Sequence, residues 1–186
     1  MKQTIWVVLL LLLSVTQLYP QAAKPTKAHH REQTDFGAEG DFDHPVVLPD
    51  AALQSLRTSM NSDDSIQTCA EDEGIPVGSI PASWFVASEV RLSRSRSSGL
   101  VIRGEHLCLG GAHISQFWVL AKSTAGYKIV FRGRADALRV LPTRTNGYRD
   151  LQLIFITQAG AYVDYVNFHY KNGQYHKAGH HLEHPN

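Results

Sequence analysis

The chain has 186 residues, with 18 Lys and Arg against 17 Asp and Glu, 43% hydrophobic residues and two cysteines. That length fits one ordinary domain of about 100–200 residues, and the hydrophobic share excludes global disorder. A net charge of +1 excludes a uniformly basic nucleic-acid binder, and two cysteines exclude a disulfide-stapled miniprotein or a four-Cys zinc site.

The near-neutral total conceals a segregation. Residues 31–75 carry eleven acids against Arg31 and Arg57, a net −9, whereas residues 76–186 carry nine Arg and four Lys against six acids, a net +7. The two parts of the chain therefore have opposite sign.

In chain order, Met1-Lys2-Gln3-Thr4 precedes nine apolar residues from Ile5 to Leu13, then polar Ser14, Thr16 and Gln17 and the small pair Ala22-Ala23. A positive start and a short apolar run predict a secretory signal peptide over residues 1–23. The run is less than half of the ~20 residues that a membrane span needs. Gln21 occupies the position of a small residue in the cleavage motif, so the alternative is an uncleaved membrane anchor. Export places Cys69 and Cys108 in an oxidising compartment and predicts a disulfide between them. Residues 24–45 are rich in Gln, Lys, His and Asp, with hardly an aliphatic side chain, and are expected to form a flexible polar linker.

A single domain is predicted over residues 46–178. Leu53, Leu56 and Met60 recur at helical spacing after Asp50, which would act as an N-cap or as a first-turn acid. A second short helical turn is expected through Ser65–Cys69. From Trp84 the periodicity becomes two. Strand-like runs follow at 84–92, 99–103, 114–121, 127–132, 138–141, 151–157 and 162–170, each bounded by turn residues. Asn172-Gly173 is the strongest hairpin signal. The predicted fold class is mostly β (α+β): antiparallel meanders of about seven strands with one N-terminal amphipathic helix. A repeating order (Gly turn, apolar strand, aromatic strand, Gly turn) starts at Ser98-Gly99 and again about 48 residues later at Asn146-Gly147, which suggests an internal duplication. Residues 179–186 are expected to be a His-rich disordered tail.

Thr145-Asn146-Gly147-Tyr148-Arg149-Asp150-Leu151, followed by Tyr170-Lys171-Asn172-Gly173-Gln174-Tyr175, resembles small exported bacterial proteins with FG-GAP/VCBS-like β-hairpins. The resemblance covers residues 84–177, and the position of Cys108 before Phe117-Trp118 fits it. Relatives in such families bind calcium through Asp-rich turns. Here the corresponding stretch, residues 92–99, holds Arg94 and Arg96 where carboxylates would stand, so no calcium is expected.

Three groups of residues carry chemistry. His180, His181 and His184 would ligate a metal if the tail turned back, and His106, Cys108 and His113 form a second imidazole–thiol set. Glu105 and His106 are a candidate acid–base pair, and Asp136, Asp150 and Asp164 are candidate paired carboxylates. No G-x-S-x-G, Walker A or dinucleotide motif occurs. Arginines interleaved with aromatics (Arg94, Arg96, Trp118, Tyr127 and Arg149) make a candidate binding surface for an anionic partner, unless they serve their own acidic segment or lie on ordinary solvated faces. The expected function is a non-enzymatic exported β-domain that binds a partner in the cell envelope or outside the cell, with neither cofactor nor nucleic acid. The alternatives are a small secreted hydrolase using Glu105, His106, Asp150 or Asp164, and an inhibitor-like protein that occludes a target site.

Overall fold

A computed structural model describes residues 32–94, 98–157 and 160–184. Two short strands, β1 (Asp35–Gly37) and β2 (Pro45–Val46), lead into helices α1 (Asp50–Met60) and α2 (Asp64–Asp72). Four strands follow: β3 (Phe85–Val90), β4 (Gly99–Gly104), β5 (Ser115–Ser123) and β6 (Gly126–Ala135). Four more complete the chain: β7 (Ala137–Thr145), β8 (Tyr148–Thr157), β9 (Tyr162–Lys171) and β10 (Gln174–Glu183).

These strands form two antiparallel five-stranded sheets, ordered β2-β3-β4-β5-β6 and β1-β7-β8-β9-β10. Each is one short N-terminal strand added to a four-strand meander, so both sheets share one strand order. The mostly β expectation is met, with ten strands and two helices among the described residues, where about seven strands, one helix and a second short helical turn were expected. The three additional strands are β1, β2 and β10.

The first sheet lies in the middle of three layers. Alternate residues of a strand point to opposite faces. On one face Phe85, Leu100, Ile102, Trp118 and Leu120 pack with Leu53, Leu56, Met60 and Ile66 of the helices. On the other, Val101, Phe117, Val119 and Phe131 pack with Leu138, Val140, Leu151, Leu153 and Val166 of the second sheet. Burial on both faces explains why residues 115–120 of β5 are all buried.

Both predicted Asn-Gly turns form. Asn146 and Gly147 have φ of 52° and 81°, and Asn172 and Gly173 have 52° and 85°. Two successive positive φ values define the type I′ turn, whose twist matches that of antiparallel strands. Asn146-Gly147 joins β7 to β8 and Asn172-Gly173 joins β9 to β10, so both tips stand at one end of the second sheet.

Two boundaries differ from expectation. The segment expected as linker is folded from Glu32 onward. Its two aromatics, Phe36 and Phe42, are buried in the inter-sheet core with ring centroids 5.0 Å apart. An average over a polar stretch hides two such anchors. The expected tail also departs, because residues 179–183 belong to β10. This strand lies at the sheet edge, so it lacks the apolar alternation that betrays a half-buried strand.

Asp50 is a first-turn acid of α1 rather than its cap, which is Pro49. In α2 the cap is Asp63, whose carboxylate accepts from the Ile66 N–H at 3.3 Å and from the Ser65 hydroxyl at 2.7 Å, and pairs with Arg132 of β6. The Ser65 hydrogen bond is the largest influence holding the Asp63 carboxyl below its ordinary range. A depressed folded-state pKa means stability that is present above the unfolded value near ~3.9 and lost as pH falls through the folded one. Asp63→Ala should cost about 1–2 kcal/mol at neutral pH. In urea melts the gap from wild type should narrow only in acid below about pH 4; a gap that stays constant into acid would assign the loss to packing instead.

Candidate functional site

Cys69 of α2 and Cys108 are disulfide-bonded, as expected, with their Cα atoms 5.5 Å apart. Cys108 sits in a short 3-10 turn, Leu107–Leu109, whose cap His106 accepts from the Cys108 N–H at 3.4 Å. The His106 ring stacks on Trp84 with centroids 3.6 Å apart. This removes Cys108 from any metal set with His106 and His113. It also accounts for His106 structurally.

The remaining acid–base candidates are dispersed. Glu105 pairs with the buried Arg103. Asp150 is buried, with one carboxylate oxygen unpartnered, and Asp164 also has one buried unpartnered oxygen. Asp164 lies opposite Phe155, five residues along β8 from Asp150. At ~3.3 Å per residue these carboxylates stand about 16 Å apart, beyond the reach of a glycosidase pair. Asp136 accepts from the Ile156 N–H at 2.9 Å and borders an open cleft of about 500 Å³ with the exposed Glu39–His113 pair.

The C-terminal histidines do not converge. His180 and His181 are successive residues of β10 and face opposite ways. His181 stacks on Tyr165 and pairs with Glu183, while His184 meets the edge of Tyr162. Among the described residues no cluster of three or more His, Cys, Asp and Glu is placed to hold a metal ion.

The expected aromatic–basic surface is not one surface. Trp118 is 0% exposed, in the core between helices and first sheet. Tyr127 is half-buried on the helix side, where its carbonyl accepts from the Ser55 hydroxyl. Arg149 is only 7% exposed. It donates to the Leu141 and Val140 carbonyls, both at 2.7 Å, and to Glu32 at 3.1 Å. Burial pulls its pKa down, and the Glu32 carboxylate opposes that shift. Arg94 is exposed, and Arg96 lies outside the described residues.

Three carboxylates of the acidic segment pair with arginines of the basic half, and a fourth pairs with His113. Glu32 binds Arg149, Asp35 binds Arg139, Asp63 binds Arg132 and Glu39 binds His113. The two oppositely charged parts of the chain thus meet within the molecule at these contacts.

One basic region lies outside these pairs. Between the two Asn-Gly tips runs a groove of about 580 Å³ lined by Thr145, Asn146, His169, Tyr170, Lys171, Asn172, His176, Lys177 and Ala178, with no acid among them. The two-residue turn sets its register: Lys171 opposes Gln174, Tyr170 opposes Tyr175 and His169 opposes His176. Asn146 fastens the neighbouring tip by donating to the Tyr170 carbonyl at 2.7 Å. Tyr170 stacks on Tyr148, with centroids 3.8 Å apart, and burial raises its phenol pKa. Tyr175 is buried behind, its hydroxyl donating to the Arg149 carbonyl at 2.6 Å.

More positive charge gathers at this end. Lys128 of β6 reaches Gly173, where an added Cβ would meet its Nζ at 3.1 Å. Arg94 follows Ser93, which bridges to Tyr148, and Arg144 donates to the Leu92 carbonyl at 3.0 Å. Of the expected binding residues that are described, Arg94 alone is exposed. Sequence reasoning did not single out His169, Lys171, His176 and Lys177, although the Asn172-Gly173 turn contained the register that assembles them.

No known family, characterised protein or solved structure matches this chain. Among the described residues no helix is long and apolar enough to cross a membrane. The predicted signal segment, residues 1–23, lies outside the described residues.

Proposed function

We propose that the protein is a non-enzymatic binding module, acting in the cell envelope or outside the cell, that holds an anionic partner in the groove between its two Asn-Gly hairpin tips. The observation that carries this reading is the lining: two lysines and two histidines share one groove with no acid, while Arg132, Arg139 and Arg149 are bound by the protein's own carboxylates. Such a concave basic site focuses potential and raises the local concentration of anions. The signal-like N-terminus and the disulfide support export. The hydrolase reading loses support because its four residues do not share one pocket.

The test is retention on a sulfated-polysaccharide column. Lys171→Gln/Lys177→Gln removes two charges worth about 0.5–1 kcal/mol each, so binding should weaken about 5- to 30-fold and elution should move to lower salt. Arg134→Gln, at the opposite end of β6, should elute like wild type. If the lysine variant also elutes like wild type, the groove is not the binding site.

A further inference from the structure

Resting on that reading, we infer that the groove is a proton-gated site for a linear polyanion, which it takes up in mild acid and releases at alkaline pH. His169 and His176 are direct cross-strand partners on β9 and β10, and both line the groove. Directly opposed residues have Cβ atoms about 4.5–5.5 Å apart, so one anionic group can span both imidazoles. Imidazole is the side chain whose charge changes between about pH 5 and 8. Each proton gained adds a positive charge and a second N–H donor to the groove.

The surrounding charges favour an anion over a metal ion. Lys171 on β9 and Lys177 on β10 line the same groove, and Arg144 of β7 and Lys128 of β6 stand at the same end. From β8 comes Asp150, next to Leu151, which is the register partner of Phe168; this carboxylate is buried and acts on Tyr175. Tyr170 completes the lining. Like charges directly opposed across a strand pair repel one another. A bound anion offsets that repulsion, so binding and protonation reinforce each other by linkage.

The shape selects the class of ligand. Among the described residues the large exposed apolar side chains are Val47, Leu107, Ile114, Ile156 and Leu182, and none of them lines the groove. The groove therefore lacks the apolar wedge that enters a bilayer, and its one aromatic, Tyr170, is already stacked on Tyr148. An open polar trough fits an extended chain bearing repeated phosphate, sulfate or carboxylate groups.

The experiment measures binding of the full chain to inorganic polyphosphate, heparin and polyglutamate at low salt, at about pH 5.5 and about pH 8. Wild type should bind at least one of these at least tenfold more tightly in acid, and the three polymers separate the anion types. His169→Gln/His176→Gln alters only exposed side chains and should shrink the pH response to under threefold while binding at pH 8 stays as in wild type. Equal wild-type affinity at both pH values, or a pH response that survives in the histidine variant, overturns the gating and leaves the basic groove standing. Absence of binding to any polyanion at either pH overturns the groove reading itself. Binding confined to anionic phosphatidylglycerol vesicles overturns the linear polyanion.

Discussion

Replacing Cys69 and Cys108 together by alanine is expected to lower unfolding stability by about 4 kcal/mol, the chain-entropy value for a closed loop of this length. The bond spans 39 positions and fastens α2, in the helical layer, to the 3-10 turn after β4. Without it the denatured chain regains loop freedom, while the native contacts of Ile66 and Leu109 remain. Urea unfolding of the double variant measures the loss directly. Wild type treated with a reductant should move to the same midpoint. A loss under about 1 kcal/mol would show that the unfolded chain is already compact around this loop, so that the bond constrains little.

Phe36→Ala should be of similar size, at about 3–5 kcal/mol. Phe36 is 0% exposed and packs edge-on against Phe42, while β1, only three residues long, pairs with β7. Truncating the ring empties a volume enclosed by two sheets that cannot collapse onto it. Val47→Ala, eleven residues downstream and exposed, should stay within about 0.5 kcal/mol of wild type. Equal small effects at both positions would mean that the N-terminal strap is an ornament on the fold rather than part of it.

The contrast between those two residues shows what the sequence made legible. Strands β3 to β9 announced themselves because alternation, β-branched residues and Gly-rich boundaries coincided. Two Asn-Gly pairs declared type I′ turns through a backbone requirement that few other residues meet. Phe36 and Phe42 were obscured by the polar residues around them, since burial of a strap rests on single anchors and not on periodicity. Strand β10 was obscured for a different reason. As an edge strand it buries little beyond Tyr175, so nothing in its composition separates it from a solvated tail.

The site was harder to read than the fold. Trp118 looked like a surface aromatic among arginines, but β5 is covered on both faces and its sequence carries no mark of which layer lies outside. Arg149 looked available, but a carboxylate 117 positions earlier in the chain claims it. Pairings of that range are invisible to local patterns. The His169–His176 pair was different, because a two-residue turn fixes which residues oppose each other, and that information was local.

The strap also sets a timetable. Asp35 reaches Arg139 across 104 positions and Glu32 reaches Arg149 across 117, so the part of the fold synthesised first must wait for β7 and β8. Loop-closure entropy must be met before such contacts return anything, which makes this docking a late event in folding. Until β7 and β8 exist, the strap carries its aromatics and carboxylates unprotected. A chain that emerges N-terminus first therefore leaves this strap undocked until β8 has formed.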